Sequence, residues 1–338
     1  MPRLLIVHAG GTIGMVPSAN GYVPTAGFPE RLQRQLQAHA ADRLPGYRLI
    51  ELAPLIDSAD LVPDDWNRIV GCLATHWHDY DGFIVLHGTD TLAHTAAALS
   101  FMLGPIDKPV VFTGAQIPLD EPRSDGLNNL VTAMFVAASP AAPAEVSVCF
   151  HGRLLRGNRA RKVRSQGLDA FDSPNAPWLG EAGIELTFDS ARALAPGKPM
   201  LAPLRFDSGA VAVVQAHPGL SPRLVAAVLE DPAVRGVVLQ TYGVGNPPGM
   251  DGTLLARFES ATAAGLAIVN VTQCLQGRVH QGAYASGAVL NDVGVVSGRD
   301  MTPEAAVTKL QVLIARQLQG ESLRHALGEP LRGELTPV

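Results

Sequence analysis

Hydrophobic residues follow two alternating patterns along this chain. The stretch Gly82–Leu92 contains both, since Phe83–Leu86 is an unbroken apolar run and the segment from Thr91 to Leu103 is amphipathic. An unbroken apolar run is typical of a strand buried on both faces of a sheet, whereas apolar residues three or four positions apart are typical of a helix. Repetition of this alternation predicts an α/β fold with two domains, each a doubly wound, mostly parallel sheet flanked by helices.

The predicted elements fall into two groups, separated by a segment without clear periodicity. Strands are predicted at 4–8, 47–52, 83–86, 109–113, 145–150, 211–215, 236–240 and 266–271. Helices are predicted at 28–40, from 63 onward, at 91–103, around 127–134, and at 222–229, 254–264 and 303–318. The intervening segment 191–208 is rich in Ala and Pro. It predicts a linker between an N-terminal catalytic α/β domain at 1–190 and a C-terminal α/β domain at 209–338.

Composition and charge argue against several classes of protein. The 338 residues are enough for two cores, and the net charge of −5 does not favour binding to nucleic acid or to an anionic membrane. No stretch approaches the roughly 18 unbroken apolar residues of a membrane span, and the first residues lack the features of a signal peptide. Three cysteines, Cys72, Cys149 and Cys274, are odd in number and far apart. This argues against a disulfide framework and predicts a cytoplasmic protein.

The sequence indicates neither a metal nor a nucleotide cofactor. Four histidines, His76, His78, His87 and His94, lie close in sequence without a zinc-ligand spacing such as HExxH. The turn Gly10–Gly14 reads GGTIG, which lacks the GxGxxG spacing of a dinucleotide site, and no helical pattern begins there. We therefore expect no metal and no cofactor.

Small polar residues follow three predicted strands of the first domain. Thr12, Ser58 and the pair Thr89-Asp90 each lie in a loop that closes a strand. In open α/β sheets, ligands bind beyond the carboxyl ends of the strands, and Gly88 would let the backbone come close to a ligand. Two interpretations of Thr89 and Asp90 stay open, because such residues also cap helices. They contribute to a site for a small polar substrate, or they only cap the helix that follows.

Two further segments of the first domain carry candidate chemistry. The segment Met15–Gly27 is rich in Gly, Pro and Ser and predicts a long, mobile loop carrying Tyr22. After residue 150 the chain becomes basic, with Arg153, Arg156, Arg159, Arg161, Lys162 and Arg164 close together. This run is a solvated face, a nucleic-acid patch, or the surroundings of a base. The lack of interleaved aromatics argues against the patch, and only Lys162 has an amine that can act as a base near neutral pH.

No GxSxG elbow and no cysteine nucleophile motif is present. A hydrolase built from the residues above would therefore use a threonine hydroxyl activated by a neighbouring base.

The motifs at these strand ends resemble those of a known enzyme family. GFIVLHGTDTL at 82–92 looks like the second signature of the L-asparaginase/glutaminase family, and HAGGTIG at 8–14 looks like its first. LLRGNRARKVRSQGLDAFDSPN at 154–175 and LRGELTP at 331–337 are similar to the bacterial cytoplasmic (type I) branch. The resemblance implies an amidohydrolase that converts L-asparagine to L-aspartate and ammonia through a threonine nucleophile and an acyl-enzyme, without a cofactor. It also implies a homodimer or homotetramer with active sites between subunits.

The resemblance implies roles for individual residues as well. Thr12 matches the nucleophile, and Tyr22 matches the tyrosine that closes over the substrate and helps to orient Thr12. Thr89, Lys162 and Asp90 match a hydroxyl–amine–carboxylate relay that activates a hydroxyl or the hydrolytic water. Asp90 also matches the group that binds the substrate's α-ammonium.

The remaining implied contacts concern the substrate and a partner subunit. Ser58 matches a ligand of the α-carboxylate, and backbone N–H groups near Thr89 and Ala115 match the donors that stabilise an oxyanion. The implied substrate-binding residues are Gly11, Asp57, Ser58, Gly88, Thr89, Asp90 and Ala115. Asn246 is the residue expected to reach into a neighbouring active site, and contacts to a partner subunit or an effector are expected for Asn246, Thr272 and Cys274.

Two positions depart from the family's pattern. Ala9 stands where the family usually has threonine, which removes a hydroxyl beside Thr12 but leaves the nucleophile in place. Gln240-Thr241 stands where close relatives with an asparagine effector site have Arg-Ser, so an effector carboxylate would lose a guanidinium partner. Two alternatives to an asparaginase stay open. They are a broader amidase acting on L-glutamine or D-asparagine, and a non-catalytic nucleotide-binding protein that uses the Gly10-Gly11 turn.

Overall fold

The computed structural model describes residues 2–19, 21–40, 43–248 and 253–337. The chain divides into two compact units between Pro203 and Leu204. This division lies inside the segment 191–208, and the predicted domain limits around it stay a prediction. Within the described residues, no helix is long and apolar enough to cross a bilayer.

The N-terminal unit contains strands and helices in regular alternation. Its strands are β1 (Arg3–His8), β2 (Met15–Ser18), β3 (Gly21–Pro24), β4 (Gly46–Glu51), β5 (Gly82–Leu86), β6 (Val110–Thr113), β7 (Val146–Phe150), β8 (Arg153–Arg156), β9 (Arg161–Lys162), β10 (Phe171–Asp172), β11 (Gly180–Ala182) and β12 (Leu186–Phe188). Its helices are α1 (Phe28–Ala40), α2 (Pro63–His76), α3 (Leu92–Leu103) and α4 (Gly126–Ala138).

Eight of these strands form one sheet in the order β12-β11-β8-β7-β6-β5-β1-β4. Neighbours from β4 to β7 are parallel, which confirms the predicted doubly wound core. In this sheet β4 lies on one side of β1, whereas β5, β6 and β7 follow one another on the other side. The winding therefore reverses between β1 and β5, and such a switch point opens a crevice at the carboxyl ends of the two strands.

Burial explains why the core strands were predictable. Every residue of β5, β6 and β7 is buried, as unbroken apolar runs require. The helix predicted after β5 is present as α3, but it is not amphipathic. Eleven of its twelve residues are buried. Many of them are alanines, and their small side chains let α3 pack against β7, α2 and the turn at 157–159 at once.

The structure corrects the prediction for Met15–Gly27. Instead of a loop, this segment holds an antiparallel hairpin of β2 and β3, with Met15 opposite Pro24; Asn20 lies outside the described residues. All four residues of β3 are exposed, so no apolar run marks the strand. Strands β8, β11 and β12, which extend the main sheet in antiparallel fashion, were missed because each has only three or four residues.

The C-terminal unit contains a second, smaller sheet. Its strands are β13 (Val211–Gln215), β14 (Gly236–Thr241), β15 (Ala267–Thr272) and β16 (Val296–Ser297), and its helices are α5 (Pro222–Leu229), α6 (Thr253–Ala263), α7 (Ala285–Asp292), α8 (Pro303–Ala315) and α9 (Gly320–Gly328). All neighbours in the order β13-β14-β15-β16 are parallel, as predicted. Three short elements, α7, β16 and α9, were not predicted.

A buried ion pair joins α8 to the segment 327–334 of this unit. Lys309 on α8 lies 2.6 Å from Glu334, and both side chains are fully buried. The Lys309 ammonium also donates to the carbonyls of Leu327 and Glu329. Burial lowers the pKa of Lys309, while the Glu334 carboxylate opposes that effect. The pair is structural, because it holds residues 327–334 against α8.

Candidate active site

Three strand-end loops meet at the switch point of the main sheet. Strands β4, β1 and β5 are parallel neighbours, so the loops that follow them lie side by side. A Cβ atom built on Gly11 would lie 2.5 Å from the Cα of Gly88, and one built on Gly88 would lie 2.3 Å from the Oγ of Ser58. Only glycine permits such a close approach. Because Thr12 and Thr89 directly follow these two glycines, the fold brings both hydroxyl-bearing residues to one crevice.

A lysine from a distant part of the chain joins the β5 loop. The Nζ of Lys162, on β9, lies 2.8 Å from the Oγ1 of Thr89 and 2.8 Å from the Oδ1 of Asp90. The Thr89 side chain is only 6% exposed, and the exposed fractions of Lys162 and Asp90 are 22% and 63%. Thr89 is therefore fixed inside the crevice, and Asp90 presents a carboxylate at its rim. Thr91 is the N-cap of α3, and the Thr89 and Asp90 side chains instead contact Lys162 and, for Thr89, Gln116, so these contacts are not helix caps.

The basic run around Lys162 is not a free basic surface. Arg153 and Arg164 both pair with the carboxylate of Asp169, at 3.6 Å and 3.0 Å. Arg156 lies 2.6 Å from the buried carboxylate of Glu145. These guanidinium charges are matched within the N-terminal unit, which argues against the nucleic-acid interpretation.

Thr12 opens the 3-10 turn Thr12–Gly14 that directly follows Gly11. Its side chain is partly buried, and no described residue forms a hydrogen bond with its hydroxyl. The turn itself is held from two sides. Arg31 donates to the carbonyl of Gly14 at 2.7 Å, and the N–H of Leu119 donates to the carbonyl of Ile13 at 3.1 Å. The backbone that carries Thr12 is therefore held in place. Its hydroxyl forms no hydrogen bond with any of the described residues.

Tyr22 stands on the exposed hairpin rather than in the crevice. It is 49% exposed and pairs with Pro17 across the hairpin. Desolvation, the nearby Glu121 carboxylate and a hydrogen bond to it raise the pKa of the Tyr22 hydroxyl. The structure brings strand β3 to the turn that carries Thr12. It does not give the Tyr22 hydroxyl a hydrogen bond to Thr12.

The other predicted substrate contacts lie in the loops that follow β4 and β6. Ser58 is buried, and its carbonyl accepts a hydrogen bond from Thr91 at 2.7 Å. Asp57 is exposed and accepts from the N–H of Ala59 at 3.0 Å. Ala115 is buried where β6 ends. The backbone N–H groups of Thr89 and Ala115 have no acceptor among the described residues, so they are available to a ligand.

Two neighbours of Thr89 were missed by sequence reasoning. The amide oxygen of Gln116 lies 3.2 Å from the Thr89 hydroxyl. Gln116 directly follows Ala115 in the loop after β6, and that position is the signal that would have identified it. His87 is buried between the carbonyl of Gly88 and the hydroxyl of Thr95. Burial lowers the pKa of His87 to about 4, so the ring is neutral at physiological pH.

The predicted partner or effector contacts lie in the C-terminal unit. Thr272, at the end of β15, is buried and donates to the carbonyl of Gly243 at 2.6 Å. Its hydroxyl also accepts from the N–H of Cys274, whose side chain is exposed. Asn246 forms an isolated antiparallel bridge with Tyr242 in the loop after β14. The fold thus brings the loops after β14 and β15 together, as neighbouring parallel strands require.

In the described part of the chain, no group of three or more His, Cys, Asp or Glu side chains is arranged to hold an ion.

Comparison with known proteins yields matches along the whole chain. The family model described as "Asparaginase, N-terminal" matches residues 3–194, and "Glutaminase/Asparaginase C-terminal domain" matches residues 210–327. L-asparaginase 1 of Escherichia coli (strain K12) is 43% identical over 334 residues, which cover 99% of this chain and 98% of that protein. The crystal structure of L-asparaginase I from Vibrio cholerae is similar with a TM-score of 0.89 at 40% identity, covering 99% of both chains. The thermostable L-asparaginase from Thermococcus kodakarensis is similar with a TM-score of 0.88 at 32% identity, covering 99% of this chain and 100% of that one.

Proposed function

Because this chain belongs to the asparaginase family, it is an amidohydrolase, and we propose how its crevice converts L-asparagine to L-aspartate and ammonia. Thr12 is the nucleophile, and the cluster Thr89–Lys162–Asp90 is the proton relay. The observation that carries the proposal is the position of the Lys162 Nζ, 2.8 Å from both the Thr89 hydroxyl oxygen and the Asp90 carboxylate. A hydroxyl, an amine and a carboxylate in contact are the parts that nucleophilic catalysis on an unreactive amide requires.

The reaction proceeds in two halves through an acyl-enzyme. In the first half, the Thr12 oxygen bonds to the side-chain amide carbon, the C–N bond breaks, and the nitrogen leaves as ammonia with the hydroxyl proton. In the second half, water adds to the ester carbon and the C–O bond to Thr12 breaks. One water proton passes through the Thr89–Lys162–Asp90 cluster and returns to Thr12, so L-aspartate leaves and the enzyme is restored.

Substrate recognition uses groups around these two threonines. The exposed carboxylate of Asp90 receives the α-ammonium, and Ser58 receives the α-carboxylate. The N–H groups of Thr89 and Ala115 stabilise the oxyanion in each tetrahedral intermediate, where one well-placed donor can contribute about 3 kcal/mol. Tyr22 reaches the crevice when the hairpin closes over a bound substrate, which excludes water from the reacting groups.

Three substitutions test these roles. Thr12→Ala, Thr89→Val and Lys162→Met should each lower kcat for ammonia release by about 100- to 10,000-fold while the melting temperature stays near that of the wild type. Thr89→Ser keeps the hydroxyl and should retain most of the activity. Arg164→Met is a matched control, because Arg164 lies two residues from Lys162 but pairs with Asp169. Full activity in the first three variants would refute the assignment.

Substrate preference and assembly complete the proposal. Relative kcat/KM values for L-asparagine, L-glutamine and D-asparagine distinguish an asparaginase from a broader amidase. We further propose a cytoplasmic homodimer or homotetramer with Asn246 reaching the neighbouring site. Three free cysteines support a reducing compartment. Sedimentation tests the assembly, and mixing inactive Thr12→Ala with inactive Asn246→Ala subunits should restore activity if Asn246 acts across subunits.

A further inference from the structure

A buried histidine lies next to the turn that carries Thr12 and has no role in the proposed mechanism. His8 is the last residue of β1, four residues before Thr12, and its ring is buried. The parallel register of β1 and β4 places it beside Glu51, and its Nδ1 lies 3.0 Å from the Glu51 Oε1. A carboxylate only accepts hydrogen bonds, so the proton of the neutral ring is on Nδ1 and a lone pair is on Nε2.

The other edge of the ring packs against the turn itself. A Cβ atom built on Gly14 would lie 2.7 Å from the Cε1 and 2.8 Å from the Nε2 of His8, so the ring leaves no room for a side chain there. Phe28 packs on the His8 ring, with 4.2 Å between the ring centroids. The ring therefore supports the last residue of the turn, and its contacts with Glu51 and Phe28 fix its orientation.

The surroundings of His8 accommodate a neutral ring better than a protonated one. Its Nε2 is buried and has no hydrogen-bond partner among the described residues, so a proton there would find no acceptor. Two charged groups of the described chain act on the ring: Glu51 on β4 favours protonation, and Arg31 on α1 opposes it. Burial lowers the pKa of His8 below its ordinary value of 6.5, and the Glu51 carboxylate offsets only part of that effect. His8 is therefore neutral at neutral pH.

The charge of His8 is linked to the position of Thr12 through Gly14. Arg31 donates to the carbonyl of Gly14 at 2.7 Å, and the His8 ring lies against the same residue. A positive charge on the ring would repel the guanidinium and would place an unpartnered N–H against the turn. We propose that His8 is a positioning residue of the nucleophile: the neutral ring, oriented by Glu51, holds the turn that carries Thr12, and protonation of the ring releases that turn and lowers kcat. The inference rests on the proposed role of Thr12 as the nucleophile.

Two substitutions change the charge at this position without removing the support. His8→Phe keeps a ring beside Gly14 but cannot be protonated, so the ratio of its kcat to the wild-type kcat should rise about tenfold as pH falls from about 8 to about 4.5. Glu51→Gln keeps an acceptor for Nδ1 but removes the carboxylate that favours the protonated ring, so its ratio should rise over the same range. KM should change little, because the proposed substrate ligands Asp90 and Ser58 lie on other loops.

Three further variants complete the comparison. His78→Phe and Glu185→Gln, at exposed positions of the same unit, are the matched controls and should keep the wild-type dependence of kcat on pH. His8→Ala removes the support itself and should lower kcat by about 10- to 100-fold at neutral pH.

The inference is overturned if the kcat ratio of either His8→Phe or Glu51→Gln does not change with pH, or if folded His8→Ala has the wild-type kcat. A melting temperature for each variant at each pH separates loss of folding from displacement of the turn. Glu51 is 29% exposed, so Glu51→Gln serves as the test if His8→Phe does not fold. If Thr12→Ala releases ammonia at the wild-type rate, the proposed function fails instead.

Discussion

Acid should destabilise the N-terminal unit through His87, which lies next to the loop that carries Thr89. Burial is the main cause that lowers the pKa of His87 from 6.5 to about 4, and the hydrogen bond to Gly88 and the charge of Asp65 oppose it. In the unfolded chain the ring takes up a proton below pH 6.5, whereas in the folded protein it stays neutral until about pH 4. Stability from this residue is therefore complete at neutral pH and is lost as pH falls from 6.5 to about 4.

The size of the His87 pKa shift determines how much folding free energy is lost in acid. One pKa unit corresponds to about 1.4 kcal/mol, so the full penalty below pH 4 is about 3 kcal/mol. Roughly 2 kcal/mol of it develops between pH 7 and pH 4.5. If the N-terminal unit melts cooperatively, that loss lowers its melting temperature by about 5 °C.

A comparison of variants isolates this contribution from the titration of the carboxylates. His87→Gln keeps a polar group near Thr95 but cannot be protonated, so its melting temperature should fall by about 5 °C less than that of the wild type between pH 7 and pH 4.5. His217→Gln removes an exposed histidine and should follow the wild type. Scanning calorimetry at matched ionic strength measures both. Parallel pH curves for His87→Gln and the wild type would refute the reasoning.

Three more outcomes follow from contacts described above. Lys309→Met leaves a fully buried carboxylate unpaired and should lower the free energy of unfolding by about 3–5 kcal/mol in urea denaturation, and a loss below about 1 kcal/mol would contradict the buried pair. Gly88→Ala should lower kcat/KM by at least about tenfold because its Cβ would overlap the facing serine, whereas Gly71→Ala, where a Cβ meets nothing within 4 Å, should not. Arg31→Met releases the turn that carries Thr12, the proposed nucleophile, and should lower kcat by about tenfold. Arg34→Met, at an exposed position of the same helix, should keep the wild-type kcat. If the Arg31→Met and Arg34→Met variants have equal kcat values, Arg31 does not hold the turn.

The local pattern determined the parallel core and where its strands end. The helix predicted at 28–40 and the strand predicted at 211–215 coincide with α1 and β13. Strand β5 was equally clear, because burial on both faces requires an unbroken apolar run. The hairpin with Tyr22 was missed, since exposed strands need no such run. Hydrophobic spacing reports burial, so it cannot reveal elements that are short or exposed.

For the site, sequence alone determined that Thr12, Thr89 and Asp90 lie at strand ends, because motifs and loop positions are local properties. Only the tertiary structure decided that Lys162, 72 residues from Asp90, contacts both Thr89 and Asp90, and that Gln116 is the acceptor for the Thr89 hydroxyl. Hydrogen bonds between distant residues depend on strand order and loop packing. A charge or an amide in the sequence gives no indication of the partner that the fold will place within 3 Å of it.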